Sequence, residues 1–322
     1  MIAILIVALA AGAASALMFA SISSGALISL LLYFLAPLPL MVSALAWGPL
    51  AAAIGGVAAA SVLGAIFGLP YCIAFAMIVA LPGWWLGHLA LLGRPIAGAA
   101  GDSIAQQPPA LEWYPVGRIL LWVAAFAIIT TTAALLTLGS DAGTVTGTLR
   151  RGLLKVLSAG EGLPSGEIER LVDVLVILAP LAATILAMVT LTLSLWLAGK
   201  IAQTSGRLNR PWPELRSTAL PAMTLVALLV AVAVSFAGGM LALLAQIVTA
   251  ALVIAYALVG FAVLHTLTLS LANRGFWLGG IYAVVVMFGW PIVAIFALGI
   301  ADAVFGLRQR YLQTRPPPLP AE

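Results

Sequence analysis

The sequence predicts an all-α, polytopic transmembrane helix bundle of about 8–10 spans, with an interfacial amphipathic helix in its central loop. Three observations carry that prediction. Of the 322 residues, 64% are hydrophobic and only 7% are Asp, Glu, Lys or Arg, against roughly 25% charged in soluble domains. The mean hydropathy is +1.20, which leaves too few polar side chains to cover a compact surface in water. Finally, no Asp, Glu, Lys or Arg occurs before Arg94. Membrane lipid is therefore the first partner the chain requires.

A net charge of +4 and a pI near 9.6 do not imply a nucleic-acid partner, because the basic residues are scattered over short loops and form no stripe. They act as topology signals. The single cysteine, Cys72, excludes an intramolecular disulfide and any multi-cysteine metal site, and reads as a small core hydrophobe.

The first apolar segment, Ile2–Ala20, has no basic residue ahead of it and continues past any small-residue cleavage site, so it reads as a retained anchor. A second span over residues 26–47 carries Pro37 and Pro39, which remove two backbone donors in one turn and should kink or break the helix. The third, over 48–67, places Gly48, Ala52, Gly56, Ala60, Gly64 and Gly68 at a strict spacing of four. Association in lipid comes from close packing, so Gly48, Gly56, Gly64 and Gly68 are expected to let a neighbouring backbone approach. The fourth span, 70–92, repeats the spacing at Gly83 and Gly87 and ends with Trp84, Trp85 and His88, as in an interfacial aromatic belt.

Residues 94–114 form a Gly, Pro and Gln-rich connection before a fifth span over 115–138. In the hydrophilic stretch 140–170, Leu149, Leu153, Val156 and Leu157 fall on one helical face, while Arg150, Arg151 and Lys155 project elsewhere. That pattern predicts a helix lying in the headgroup plane. Ser165, followed by Glu167 and Glu169, starts a sixth span reaching residue 198 through Pro180. Lys200, Arg207, Arg210 and Arg216 then crowd a short loop, the best cytoplasmic candidate. Spans over 218–236 and 240–268 follow. A last apolar stretch, 276–304, is interrupted at Gly289-Trp290-Pro291. If it folds back at Pro291, the N-terminus, Arg94, the basic loop, Arg274 and the tail all lie on the inside. Residues 1–305 are thus expected to form a single integral membrane domain, divided by charge into 1–93 and 94–305, with 306–322 a basic, proline-rich, disordered tail.

No recognisable catalytic chemistry emerges. Lys155 and Lys200 are the only lysines, and neither ends a phosphate-binding loop. His88 and His265 are far apart, without the spacing of zinc ligands. The expectation is no enzyme and no cofactor. Asp302, within the last apolar run, is the candidate that chemistry singles out, since an acidic group there must be paired, hydrated or functional. Arg308 is its natural structural partner, yet six residues on it stands about 240° around an ideal helix, so pairing needs a bend. Gln246, Tyr256, His265 and Tyr282 are the other polar groups expected to be buried, serving helix–helix hydrogen bonds or ligand contact.

In order along the chain, 36-APLPL-40, 47-WGP-49, 68-GLP-70, 195-LWLA-198, 260-GFAVLH-265 and 299-GIAD-302 with Arg308 resemble the YybS-like family of bacterial inner-membrane proteins, whose function is not established. The resemblance covers nearly the whole chain and implies a multipass protein of the bacterial inner membrane. The N-terminal part is also similar, more distantly, to the substrate-binding subunits of energy-coupling-factor vitamin transporters. In those, a proline-rich second helix precedes a Gly-rich third, and small residues on the first helix, here Ala10 and Ala14, dock a separate ATPase module. The resemblance thus implies a small-solute binding or transport subunit without its own ATPase, working with other membrane subunits. The competing expectation is a non-transporting scaffold or assembly factor, whose basic loop and interfacial segment recruit partners or anionic lipid.

Overall fold

The computed structural model of the chain describes residues 2–95, 111–158 and 165–313. Its helices are α1 (Ile2–Ala20), α2 (Leu27–Phe34), α3 (Pro37–Trp47), α4 (Pro49–Phe67), α5 (Leu69–Phe75), α6 (Leu81–Ala90), α7 (Val116–Leu136), α8 (Ala142–Ser158), α9 (Ser165–Thr204), α10 (Met223–Val234), α11 (Gly239–Leu267), α12 (Arg274–Phe288), α13 (Ile292–Phe305) and α14 (Leu307–Gln313). One antiparallel ladder joins β1 (Gly93–Pro95) to β2 (Leu111–Trp113), setting Arg94 opposite Glu112. The fold is an all-α polytopic bundle. Among the described residues, seven helical stretches are long and apolar enough to cross a membrane, or eight when α13 and α14, bent by 68°, count as one. The expected 8–10 included α10 and α12, which are apolar but shorter.

The chain divides into two compact units: Met1–Ala133 with Leu186–Pro213, and Ala134–Ile185 with Glu214–Glu322. Composition carried no trace of the division. Two of the three boundaries fall inside the apolar helices α7 and α9 and the third in the loop before α10, all well away from the charge step at residue 94.

In the first unit, α1 and α4 cross backbone to backbone. A Cβ on Gly12 would collide with the Gly55 carbonyl, lying 2.8 Å from its carbon, and one on Gly55 would collide with the Ala8 carbonyl oxygen. The other face of α4 packs nearly as closely. Gly56 would bring a Cβ to 3.0 Å from the Ala80 side chain, and Gly64 to 3.0 Å from the Cys72 Cβ. Beneath these approaches Phe19, Leu40, Leu63, Phe75 and Val79 form a buried cluster, with the Phe19 and Phe75 rings edge-on at 5.5 Å.

Gly48 and Gly68 correct the expected ridge. Both have positive φ, +98° and +92°, and a Cβ on Gly48 would meet nothing within 4 Å. They are helix-ending turns followed closely by proline, a conformation L side chains rarely adopt. The spacing of four simply ran on past the two ends of α4. The break at the paired prolines lies at Leu35 and Ala36, with Pro37 opening α3, where its missing N–H leaves no carbonyl orphaned. Between α5 and α6 a π turn, Ala76–Ala80, widens the helix just before Pro82.

In the second unit, Asp141 caps α8 by accepting the Thr144 N–H at 3.0 Å and the Thr144 hydroxyl. These bonds hold its carboxyl below the ordinary range. Val145 of α8 is buried, Leu149, Leu153 and Leu157 are half-buried, and Arg150, Arg151 and Lys155 are exposed. Val156, grouped with the leucines by its spacing, is instead 70% exposed. α9 runs for 40 residues, about 60 Å, twice the hydrocarbon thickness. Its first turns carry Glu167, Glu169, Arg170 and Asp173 and suit water, and there Asp173 pairs with Arg150. The span expected over 218–236 shortens to α10 because Pro221 interrupts the backbone ahead of it, its carbonyl accepting the Thr224 N–H.

α11 and α13 cross as closely as α1 and α4. A Cβ on Gly260 would collide with the Ile295 carbonyl, and one on Gly299 with the Tyr256 carbonyl oxygen. Gly289, at φ +70°, ends α12, and Pro291 caps α13. The excursion through these two helices returns to its start, since the Ser270 and Tyr311 hydroxyls are hydrogen-bonded at 2.9 Å. The tail expected to be disordered from residue 306 is helical over Leu307–Gln313. Residues 314–322 lie outside the described part.

Because Gly56 and Gly64 face neighbouring helices while Val57 is 68% exposed, Gly56→Leu and Gly64→Leu should each cost about 2 kcal/mol or more through overpacking. Val57→Leu should stay within about 0.5 kcal/mol. Thermal melting in detergent is the readout, and equal tolerance of all three would show that this face of α4 meets lipid.

Candidate functional site

In the second unit, Asp302, Arg308, His265 and Arg274 lie where α11 and α13 end. Gly306, left-handed at φ +63°, stops α13 by donating its N–H to the Asp302 carbonyl at 2.8 Å. The chain then turns through 68° into α14. That turn supplies the bend that a pair six residues apart requires. The Asp302 carboxylate accepts the Arg308 backbone N–H at 2.8 Å and Nε–H at 2.9 Å, and lies 2.7 Å from Nη2. It is therefore both a cap for α14 and an ion-pair partner. Arg308 Nη1 donates to the carbonyls of Arg216 and, at 2.9 Å, Thr218. Side-chain exposures of 7% for Asp302 and 12% for Arg308 make this a buried pair, in which a lost partner strands a charge.

A second cluster lies at the end of α11. Arg274 opens α12, and its Nη2 donates to the His265 carbonyl and to His265 Nδ1, each at 3.2 Å. A guanidinium has only donors, so Nδ1 must accept and the imidazole proton sits on Nε2. Nε2–H then donates to the Tyr282 hydroxyl at 2.8 Å, while the Tyr282 ring stacks on Phe261 at 5.0 Å. The Arg274 Nε is enclosed and has no partner among the described residues. Gln246 does not join either cluster. It stands half-buried on α11, 19 residues before His265, about 28 Å away along the helix.

Tryptophans organise the cations of the first unit. Lys200 Nζ sits 3.9 Å from the Trp212 ring centroid, Arg207 stacks on Trp47 at 4.8 Å, and Arg210 lies 5.8 Å from Trp113. Arg210 also donates to the Ala90 carbonyl at 3.1 Å, and its burial lowers its pKa from the ordinary arginine value. The C-terminal ends of α3, α6 and α9 thereby meet beside the β1–β2 ladder, as spans alternating in direction require. Arg94 pairs with the Glu112 carboxylate, reaching it at 2.7 Å.

Reasoning from sequence isolated Asp302, Arg308, His265 and Tyr282 but not the direct bond between the last two or the hold of Arg274 on His265, since Arg274 had served only as a topology marker. The available signal was an arginine nine residues after a span-end histidine. The roles of Trp47, Trp113 and Trp212 were equally invisible, since cation and ring lie far apart in the chain. Among the described residues, no three His, Cys, Asp or Glu side chains are placed to hold a metal ion.

Stacked apolar helices with charge confined to their ends define a multipass helical membrane protein. Comparison with known proteins matches the chain to no family model, no curated protein and no solved structure.

Asp302→Asn should lower thermal stability by roughly 3 kcal/mol, because it strands the Arg308 cation. Adding Arg308→Gln should recover part of that loss by removing the stranded charge. A single Asp302→Asn variant that melts like the parent would show that the carboxylate holds nothing together.

Proposed function

We propose that the chain is a non-transporting scaffold or assembly factor of a bacterial inner membrane, recruiting a protein partner with an acidic segment to the basic end of its first unit. One observation carries this reading: Lys200, Arg207 and Arg210 are held by tryptophan faces and a backbone carbonyl. A ring fixes a cation's position without cancelling its charge. The three therefore present an oriented positive field to whatever approaches from water. The likeness of the sequence motifs to YybS-like proteins supports the bacterial inner membrane.

A second reading, solute binding in the manner of a transport subunit without its own ATPase, is favoured by Ser15 and Ser194. Both belong to the first unit, are fully buried, and have hydroxyls with no partner among the described residues. A bound solute would satisfy them.

Purification of the full-length chain from native membranes, followed by mass spectrometry of co-purifying proteins and small molecules, separates the two. The scaffold reading expects a co-purifying protein with an acidic segment next to the membrane, its recovery reduced about tenfold by Arg207→Glu. Recovery unaffected by that reversal, with a small molecule retained by the parent and lost in Ser15→Ala or Ser194→Ala, would replace it with solute binding.

A further inference from the structure

The cluster at the start of α12 has more donors than the protein uses. Arg274 spends Nη2 on His265, while Nε and Nη1 have no hydrogen bond to another described residue. Tyr282 accepts from His265 Nε2–H, which leaves its own hydroxyl proton free to donate. No described carboxylate pairs with Arg274. Asp302, the buried acid of this unit, is consumed by Arg308, and the charge of Arg216 adds to that of Arg274 around the imidazole. The surplus is thus positive and rich in N–H and O–H groups. A neutral His265 between a guanidinium and a phenol positions both without adding a charge that would repel the cation.

The setting identifies the kind of ligand. Arg274 lies between the end of the α11 span, which reaches Ser270, and the apolar helix α12. Phe276 and Trp277 follow it, 78% and 55% exposed. A cation at the head of an apolar helix, with bare aromatic rings directly below, matches the boundary where phospholipid phosphates lie. Guanidinium groups recognise phosphate with paired, charge-assisted hydrogen bonds.

We propose that Arg274, His265 and Tyr282 form a binding site for a phosphate group at the membrane boundary, carried either by an anionic lipid headgroup or by a soluble phosphate. Arg274 supplies the charge and the N–H groups of Nη1, Tyr282 supplies a hydroxyl, and His265 is the positioning residue that holds them together. The site goes beyond the scaffold reading and stands under either account of the first unit.

The test uses the full-length protein in detergent, with binding of dioleoylphosphatidylglycerol followed by native mass spectrometry and folding by thermal melting. Arg274→Gln should reduce lipid retention about fivefold, the worth of one interfacial cation. Tyr282→Phe should reduce it about threefold, as expected for one lost hydrogen bond. Arg151→Gln on α8, an exposed arginine outside the site, should bind like the parent. Millimolar inorganic phosphate that displaces the lipid would identify a soluble phosphate as the ligand, whereas persistence of the lipid would identify the headgroup. Parental retention in Arg274→Gln, or an equal loss in Arg151→Gln, overturns the proposal. If Arg274→Gln fails to fold, Tyr282→Phe decides, and unchanged retention in that folded variant overturns it as well.

Discussion

Helix backbones in direct contact are the constraint on which this structure rests. Lipid tails are as apolar as leucine, so expelling water cannot hold one membrane helix against another, and attraction must come from many close atomic contacts. Gly12 with Gly55 in the first unit, and Gly260 with Gly299 in the second, bring two backbones to distances that a single methyl group would forbid. Each crossing has consequences beyond itself. Seating α1 on α4 brings Phe19 against Leu63 and Phe75. Seating α13 on α11 carries Asp302 to the helix end where the Arg216 and Thr218 carbonyls are within reach of Arg308.

Charge obeys the same solvent. An ion in hydrocarbon must be paired or brought to the boundary, and the clusters described use both devices. Asp302 and Arg308 neutralise each other at a bend made by one left-handed glycine, and the same arginine ties the loop before α10 to the end of α13. Lys200, Arg207 and Arg210 instead reach the boundary and rest on tryptophan rings. The two solutions differ in what they leave over. The first uses up its charge and stabilises the fold, whereas the second keeps its charge and offers it outward.

Much of this was legible in the residues because the governing signals are local. A charge-free run of 93 residues, paired prolines at 37 and 39, and Gly289-Trp290-Pro291 speak of spans and breaks without tertiary information. Asp302 was conspicuous because an acid in an apolar run demands an explanation. What stayed hidden depends on partners far off in the chain. Gly12 and Gly55 lie in helices so rich in alanine and glycine that no spacing distinguishes the contacting pair. Gly48 and Gly68 shared the register of Gly56 and Gly64 yet do a different job, because periodicity does not reveal where a helix ends. Where the division into two units cuts through α7 and α9, it leaves no mark on hydropathy.

The backbone crossing is tested most directly by a double-mutant cycle on Gly12→Ala and Gly55→Ala, read as thermal stability in detergent. If the two glycines share one contact, either added methyl already forces the helices apart. The double variant should then cost clearly less than the sum of the singles, a coupling of about 1 kcal/mol or more. Costs that add, or two singles as stable as the parent, would contradict a crossing at these residues and the packing built on it.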